Sequence, residues 1–234
     1  MDELIRYDQQ LLLTLNGSDS TYLDNFFMLV TRTGTWIPLA LVLLYVLLWN
    51  RPWREVLLFL LCFALVILIA DRFSSGFCKP FFHRLRPSHE PLLEGLVDLV
   101  EGRRGGLYGF ISSHAANTFG VWAFISLYFR RFSITAPFFL WASLLSYSRI
   151  YLGLHYPGDI LAGALFGILV GVLSYLLLLW MCARWSCPLL PDWPEAPTLI
   201  GYYSNPRGIE PFDVRLLCGT FFLTLLVISL IALF

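Results

Sequence analysis

Long apolar runs dominate this sequence of 234 residues. A helix that crosses a bilayer needs about 20 mostly apolar residues, with a range of about 17–25. Hydrophobic residues make up 58% of the chain and charged residues 14%, whereas soluble domains carry about 45–50% and about 25%. The sequence therefore predicts an all-α fold, a polytopic membrane helical bundle, and excludes a soluble enzyme and a disordered chain. We expect about six transmembrane helices, at 35–50, 54–78, 113–129, 134–152, 157–183 and 214–234.

The first 34 residues are too polar to form another span. Residues 3–15 and 22–33 each place apolar groups on one helical face, which is typical of a helix that lies along a membrane surface. Acidic residues follow Met1 directly, so we expect no signal peptide. We therefore predict an interfacial amphipathic segment at 1–34 and a single integral membrane domain over 1–234.

Arginines in the short connections predict the orientation in the membrane. With six spans, the basic connections share one face, which should be cytoplasmic, and both termini and the 79–112 connection share the other. We expect the proline-rich connection at 185–213 to cap the cytoplasmic face, with the docking of a partner as the alternative. The net charge is zero, so nothing points to a nucleic-acid partner. The basic face carries Arg51, Arg54, Arg130, Arg131, Arg184, Arg207 and Arg215.

Three polar clusters lie at the outward ends of the predicted spans. They read KPFFHRLRP at 79–87, YGFISSH at 108–114 and SRIYLGLHYPGD at 148–159. Alternation of the spans brings all three to the same side of the membrane. Charged residues at a membrane are costly, so such a grouping marks a functional site. A transporter, the remote alternative, would instead place its charges near the midplane on broken helices.

The residue types in these clusters suit a phosphate group. Lys79, Arg86 and Arg149 are cations, and three converging cations need an anion with more than one charge. Ser112 and Ser113 stand at the start of a helix, where free backbone N–H groups favour an anion. We therefore expect these five residues to bind a phosphoryl group.

Two histidines, His114 and His155, can act as nucleophile or general acid near neutral pH. Asp159 lies four residues after His155, so a helical stretch would place both side chains on one face. A carboxylate bonded to one ring nitrogen leaves the other free to attack. The His and Cys residues have no metal-ligand spacing, so we expect no metal and no cofactor, and the set predicts metal-free phosphoryl transfer. Three further basic residues are expected to be solvated surface groups: His83, Arg84 and His89.

These motifs resemble those of the type 2 phosphatidic acid phosphatase family of integral membrane lipid phosphatases. That family carries Lys-x6-Arg-Pro, Pro-Ser-Gly-His and Ser-Arg-x5-His-x3-Asp. The first motif matches 79–87 and the third matches 148–159, whereas 111–114 reads Ile-Ser-Ser-His in place of the second. The resemblance covers 79–159 strictly and the surrounding spans loosely. The family usually has a span before the interfacial helices, and this chain is expected to carry an extra C-terminal span at 214–234 instead.

The resemblance implies a role for each motif residue. His155 would attack phosphorus and form a phosphohistidine, Asp159 would orient it, and His114 would protonate the leaving oxygen. Lys79, Arg86, Ser112, Ser113 and Arg149 would hold the phosphoryl oxygens. The implied substrate is a phosphomonoester or diphosphate of a bacterial envelope lipid: a lipid A phosphate, undecaprenyl diphosphate, phosphatidylglycerol phosphate or phosphatidate.

The resemblance also implies a location in the bacterial inner membrane, with the active site on the periplasmic side. A lipid phosphotransferase that uses the same phosphohistidine is the nearest alternative function. Four acidic residues in the 88–112 loop weakly favour a monophosphate or a large sugar head group over a compact diphosphate: Glu90, Glu94, Asp98 and Glu101. The sequence carries no indication of the oligomeric state.

Overall fold

The computed structural model describes residues 2–185 and 210–234, and helices form most of this part of the chain. No β-strand occurs among these residues, so the all-α prediction is confirmed. Residues 186–209 of the proline-rich connection lie outside the described residues. The nine α-helices of the described ranges are α1 (Asp2–Leu15), α2 (Thr21–Val30), α3 (Ile37–Asn50), α4 (Trp53–Asp71), α5 (Lys79–Phe82), α6 (Ser113–Phe129), α7 (Phe132–Tyr151), α8 (Pro157–Arg184) and α9 (Pro211–Ile231).

Four helical stretches in the described part of the chain are long and apolar enough to cross a membrane: Thr33–Asn50, Trp53–Phe82, Pro157–Arg184 and Pro211–Ile231. Large apolar side chains stand exposed along them, among them Leu41, Leu57, Leu165 and Leu223. A soluble protein rarely exposes so continuous an apolar surface, whereas lipid tails cover it at no cost. The prediction of an integral membrane protein is thereby supported by both length and exposure.

The second of these stretches is longer than the sequence predicted. It runs through α4, a π-helical stretch at Arg72–Cys78 and α5 without interruption. The prediction ended this span at 78, because the charges that follow look like a loop. The helix instead continues to Phe82 and ends where His83 adopts a left-handed backbone conformation, with φ of 48°. Lys79 therefore projects from a rigid helix.

Helices α6 and α7 match the boundaries predicted at 113–129 and 134–152 to within two residues, and α6 lies at the centre of the bundle. Helix α6 packs against α4, α7 and α8. Much of its surface faces other helices, so small and polar residues such as Thr118 and Ser126 can replace the apolar residues that lipid contact would demand.

Glycines bring α6 and α8 close together. A Cβ atom at Gly163 would lie 2.5 Å from the carbonyl oxygen of Ser112, and one at Gly167 would overlap the backbone of Ala116. Small residues allow membrane helices to approach in this way. The close approach places the beginning of α6 against the beginning of α8, where the backbone N–H of Ser112 donates to the backbone carbonyl of Asp159 at 3.0 Å.

The N-terminal helices are attached to the end of the bundle that carries the three polar clusters. The side-chain amide of Asn16 donates to the carbonyl oxygens of Ile150 and Tyr151, at 3.2 and 2.7 Å. Phe27 of α2 packs against the rings of Tyr147 and Tyr151. These contacts fix α1 and α2 beside the C-terminal end of α7.

Candidate active site

The three predicted clusters meet at one end of the helical bundle. Each cluster comes from the end of a helix or from the loop beside it, and the packing of α6 against α8 brings them together. Lys79 lies on α5, Arg86 in the loop that follows, Ser112 before α6, Ser113 and His114 in its first turn, Arg149 in the last turn of α7, His155 before α8, and Asp159 in its first turn.

His155 and Asp159 form a buried pair. The Nδ1 atom of His155 lies 3.4 Å from Oδ2 of Asp159, and the two residues are 1% and 0% exposed. The two residues do not share a helical face, which would have required a helix over both, because α8 begins only at Pro157 and His155 precedes it. Asp159 instead occupies the third position of α8, where Oδ2 also accepts the backbone N–H of Tyr156 at 3.2 Å. The carboxylate faces Nδ1 of the ring and leaves Nε2 available for chemistry.

Arg84 lies on the other side of the same carboxylate. Its Nη1 donates to Oδ1 of Asp159 at 2.7 Å, and its Nη2 donates to Oδ2 of Asp8 at 2.6 Å. The guanidinium stacks over the ring of Tyr156 at 4.2 Å from the centroid. Burial lowers the pKa of Arg84, but the charges of Asp159 and Asp8 raise it by more, so the net pKa is above its ordinary value. The prediction of a solvated surface role for Arg84 is therefore wrong.

Asp8 connects this pair to the N-terminal helix. Its second oxygen, Oδ1, accepts the backbone N–H of Gly158 at 2.8 Å, within the first turn of α8. No sequence pattern pairs Asp8 with Arg84, since 76 positions separate them. In the sequence, Arg84 stands two residues before the motif residue Arg86, and this position is the one local signal that could have indicated a role for Arg84 in the site.

Arg86 is held by carbonyl oxygens, and within residues 2–185 and 210–234 no carboxylate forms an ion pair with it. Its Nε donates to the carbonyl of Tyr108 and its Nη1 to the carbonyl of Leu154, both at 3.2 Å. The residue is 8% exposed, and this burial lowers the pKa of Arg86. A buried guanidinium with neutral partners retains its charge for an incoming anion.

The two serines of the second motif have different contacts. Ser113 Oγ accepts a hydrogen bond from Nζ of Lys79 at 2.8 Å and lies 2.9 Å from the hydroxyl of Ser75. Ser112 is the N-cap of α6, and its hydroxyl accepts the backbone N–H of Ala115 at 3.4 Å. The Ser112 side chain thus secures the helix end, whereas Ser113 lies beside the lysine ammonium.

Arg149 completes the group of cations. Its Nη1 donates to the hydroxyl of Thr31 at 2.8 Å, and its Nε is buried without a hydrogen-bond partner in the described part of the chain.

Burial lowers the pKa of His155 well below its ordinary value, and the charges of Arg86, Arg149 and Lys79 lower that pKa further. Two of these residues are bonded to the segment that carries His155: Nη1 of Arg86 donates to the carbonyl of Leu154, and the backbone N–H of His155 donates to the carbonyl of Arg149 at 3.2 Å.

His114 approaches the site from the first turn of α6. It is half-buried and lines a cavity of about 420 Å³. The other two histidines are not brought to the site. His83 is exposed with its ring against Tyr108, and His89 lies 3.1 Å from the hydroxyl of Ser88. Across residues 2–185 and 210–234, no three His, Cys, Asp or Glu side chains are grouped as a metal site requires.

This arrangement is suited to a tetrahedral anion. It combines a neutral imidazole backed by a carboxylate, a second imidazole, and positive charges that carboxylates do not cancel. Such groups stabilise the charge that develops when a phosphoryl group is transferred.

Comparison with known proteins agrees with the chemistry of the site. Residues 55–181 match the PAP2 superfamily. The lipid A 4'-phosphatase of Bacteroides thetaiotaomicron is 43% identical over 76% of this chain and 79% of its own length. The lipid A 4'-phosphatase of Porphyromonas gingivalis is 39% identical over 82% and 83%. The undecaprenyl-diphosphatase of Sulfolobus acidocaldarius is 27% identical over 74% of both chains.

The fold is also similar to a solved structure. The crystal structure of Aquifex aeolicus LpxE superimposes with a TM-score of 0.53 at 27% sequence identity, over 71% of this chain and 93% of that one. The superfamily match spans more than half of the sequence and includes all three polar clusters. The chain belongs to the PAP2 superfamily.

Proposed function

We propose that this protein, a membrane lipid phosphatase of the PAP2 superfamily, removes the 4'-phosphate from lipid A. Two relatives named lipid A 4'-phosphatase are 39% and 43% identical to this chain over about four fifths of their lengths. The observation that carries the proposal is the buried pair of His155 and Asp159. Beside it, Arg86 is bonded to the carbonyl of Leu154 and Lys79 to the hydroxyl of Ser113. Acidic residues of the 88–112 loop also favour a monophosphate on a large sugar over a compact diphosphate.

His155 is the nucleophile of the proposed reaction. Its Nε2 attacks phosphorus, an N–P bond forms, and the bond from phosphorus to the lipid oxygen breaks. His114 donates a proton to that leaving oxygen. Water then attacks the phosphohistidine while His114 accepts its proton, so that inorganic phosphate leaves and both imidazoles return to their starting state.

Asp159 and Arg84 prepare His155 for this reaction. The carboxylate holds the proton on Nδ1, which keeps the lone pair on Nε2, and it stabilises the positive ring as the bond forms. Arg84 fixes the rotamer of Asp159 and favours its ionised form, since an opposite charge in contact stabilises a carboxylate. Arg84 is therefore a positioning residue that acts through Asp159.

The cations bind the phosphoryl oxygens in this mechanism. Arg86 and Arg149 supply planar donor groups, and Lys79 supplies a compact charge next to the hydroxyl of Ser113. The backbone N–H groups at the start of α6, which Ser112 caps, add a further anion-binding element. Removing one such donor typically reduces the rate by about two to three orders of magnitude.

We further propose six membrane crossings, with α6 and α7 added to the four apolar stretches. Helix α1 and helix α2 then lie in the interface on the side of the active site. The arginines between α3 and α4, and between α6 and α7, belong to the opposite side, which the positive-inside rule assigns to the cytoplasm. The site faces the periplasm on this assignment, in the inner membrane of a bacterium.

A phosphate-release assay with purified protein in detergent tests the function. We expect release from lipid A, with mass spectrometry locating the loss at the 4' position, and no loss of activity on addition of a chelator. His155→Ala should abolish release, whereas His83→Ala, an exposed histidine in the neighbouring loop, should retain it. Equal turnover of undecaprenyl diphosphate, or phosphate transfer that requires a lipid acceptor, would contradict the proposal.

A further inference from the structure

The cavity beside His114 is much larger than a phosphate group requires. Its volume is about 420 Å³, and it lies between α3, α4, α6 and α7. Along α6 it extends from His114 to Ile125, which corresponds to about 16 Å at a rise of roughly 1.5 Å per residue. Its deeper walls are apolar, with Leu43, Phe63 and Phe138 among them. The cavity thus leads from the reacting groups toward the interior of the bundle.

The cavity opens sideways toward the surface that the spans present to lipid. Ile37 of α3 and Ile67 of α4 both line it, and they are 55% and 40% exposed. Ala40, also a lining residue, is exposed on the same side of α3. An apolar chain can therefore enter between α3 and α4 directly from the bilayer.

Two polar atoms in the cavity wall lack partners. The side-chain oxygen Oδ1 of Asn117 and the indole Nε1 of Trp141 are buried, and neither has a hydrogen bond within the described ranges. Asn117 lies three residues after His114, one helical turn deeper. Buried polar groups normally have partners, because leaving them unpaired costs free energy. One acceptor and one donor together complement a hydroxyl group, which both donates and accepts.

We propose that this cavity binds an acyl chain of the lipid substrate, and that Asn117 and Trp141 bind a hydroxyl group on that chain near its head-group end. The inference rests on the proposed phosphatase function, because a lipid whose phosphate reaches His155 must place its tails close to His114. The occupant is an acyl chain because the remaining walls are apolar and the opening faces the bilayer.

A bulky residue at the lateral opening tests the path of the chain. We compare Ala40→Trp with Leu41→Trp, since Leu41 is 60% exposed on the same helix and does not line the cavity. The substrates are lipid A and the water-soluble p-nitrophenyl phosphate, and the readout is kcat/KM for lipid A divided by kcat/KM for p-nitrophenyl phosphate. Ala40→Trp should lower this ratio by about tenfold or more, while Leu41→Trp should match the wild type. An unchanged ratio in Ala40→Trp would overturn the inference alone, whereas a wild type inactive on both substrates would overturn the phosphatase function as well.

A pair of lipid substrates that differ by one hydroxyl group tests the polar contacts. The two substrates are a lipid A with a hydroxyl group on one acyl chain and the matched lipid A without that hydroxyl. We expect the wild type to prefer the hydroxylated form by about tenfold in kcat/KM, which is the size of effect expected from one net hydrogen bond. Asn117→Leu and Trp141→Phe should remove that preference. Trp122→Phe is the matched control, because the indole of Trp122 already donates to the carbonyl of Thr135 at 3.1 Å.

Folding of these variants is checked by thermal unfolding in detergent. Asn117→Leu removes a buried oxygen that has no partner in the described part of the chain, so its melting temperature should not fall. Trp141→Phe also loses ring contacts with Trp36 and Phe138, so it should melt somewhat lower, as Trp122→Phe should, but still in one cooperative transition. Equal turnover of the two lipids by the wild type would overturn the hydroxyl contact. The same conclusion would follow if folded Asn117→Leu and Trp141→Phe both kept the wild-type preference.

Discussion

Arg84 and Asp159 are joined by an ion pair of 2.7 Å, and the opposite oxygen of the same carboxylate lies 3.4 Å from the ring of His155. Arg84 is held in turn by Asp8 at 2.6 Å. This relay extends from the N-terminal helix to the proposed nucleophile. It gives α1 a direct part in the geometry of the active site, in addition to any contact with the membrane.

Replacement of Arg84 should slow catalysis with little effect on substrate affinity. We expect Arg84→Gln to lower kcat by about 100-fold, because a small misplacement of reacting groups has an effect of that size. KM should change little, since Arg84 binds Asp159 and not the phosphate. Steady-state kinetics with Arg6→Gln as the control, an exposed arginine on α1, checks this. Wild-type kcat in Arg84→Gln would exclude its positioning role.

The proposed intermediate can be detected directly. Turnover stopped with base, which preserves phosphohistidine, should yield a peptide with one phosphoryl group on His155. His155→Ala should lack it, and His83→Ala should retain it. Asp159→Asn should reduce its rate of formation by about four orders of magnitude, as expected when the orienting acid of such a pair loses its charge. A phosphoryl group on any other residue would argue against His155 as the nucleophile.

The pH dependence of kcat/KM should reflect the lowered pKa of His155. Burial and the nearby cations hold that pKa below 6.5, so the imidazole stays neutral and nucleophilic as the pH falls through this value. Protonation of His155 should therefore reduce activity only at a pH well below 6.5. Arg86→Gln removes one of the charges that lower the pKa, so its acid limb should move to higher pH.

The phosphate group of the lipid also titrates in this range, because the second pKa of a phosphate ester is about 6. The position of the acid limb in Arg86→Gln is therefore compared with the wild type on the same substrate. An acid limb at identical pH in the two proteins would contradict the effect of Arg86 on His155.

Gly109 should be sensitive to any side chain. A Cβ atom there would lie 3.1 Å from Oδ2 of Asp159 and 3.2 Å from Cγ of Arg86, closer than ordinary contact. We expect Gly109→Val to displace these groups and lower kcat by about 100-fold. Gly106→Val is the control, because a Cβ at Gly106 meets no atom within 4 Å. Equal activity of the two variants would show that the backbone approach at Gly109 is not needed.

Gly167 should be essential for stability. Its Cα faces the backbone of Ala116 so closely that an added Cβ would overlap it. We expect Gly167→Leu to lower the melting temperature in detergent and to abolish activity, because α6 and α8 could no longer meet. Gly219→Leu on α9, where a Cβ meets nothing within 4 Å, should melt like the wild type. Similar melting temperatures for both variants would contradict this account of the helix packing.

The sequence by itself determined the helical class, the apolar stretches and most helix boundaries, because the length and pattern of apolar residues are local properties. It also identified the three clusters, since the spacing of Lys79, Arg86, His155 and Asp159 is readable along the chain. The end of the second span was wrong, because a helix can carry Lys79 on its last turn when neighbouring helices supply polar contacts. His155 and Asp159 do lie together, but not across one helical face, because α8 starts between them.

Only the tertiary structure decided how these clusters fit together. The role of Arg84 depends on Asp8 and Asp159, which are far from it in sequence and are brought to it by the packing of α1 and α8. The cavity likewise exists only where α3, α4, α6 and α7 leave space, and the unpaired atoms of Asn117 and Trp141 have meaning only inside it. Such features arise from contacts between distant segments, and local patterns of hydrophobicity and spacing do not encode those contacts.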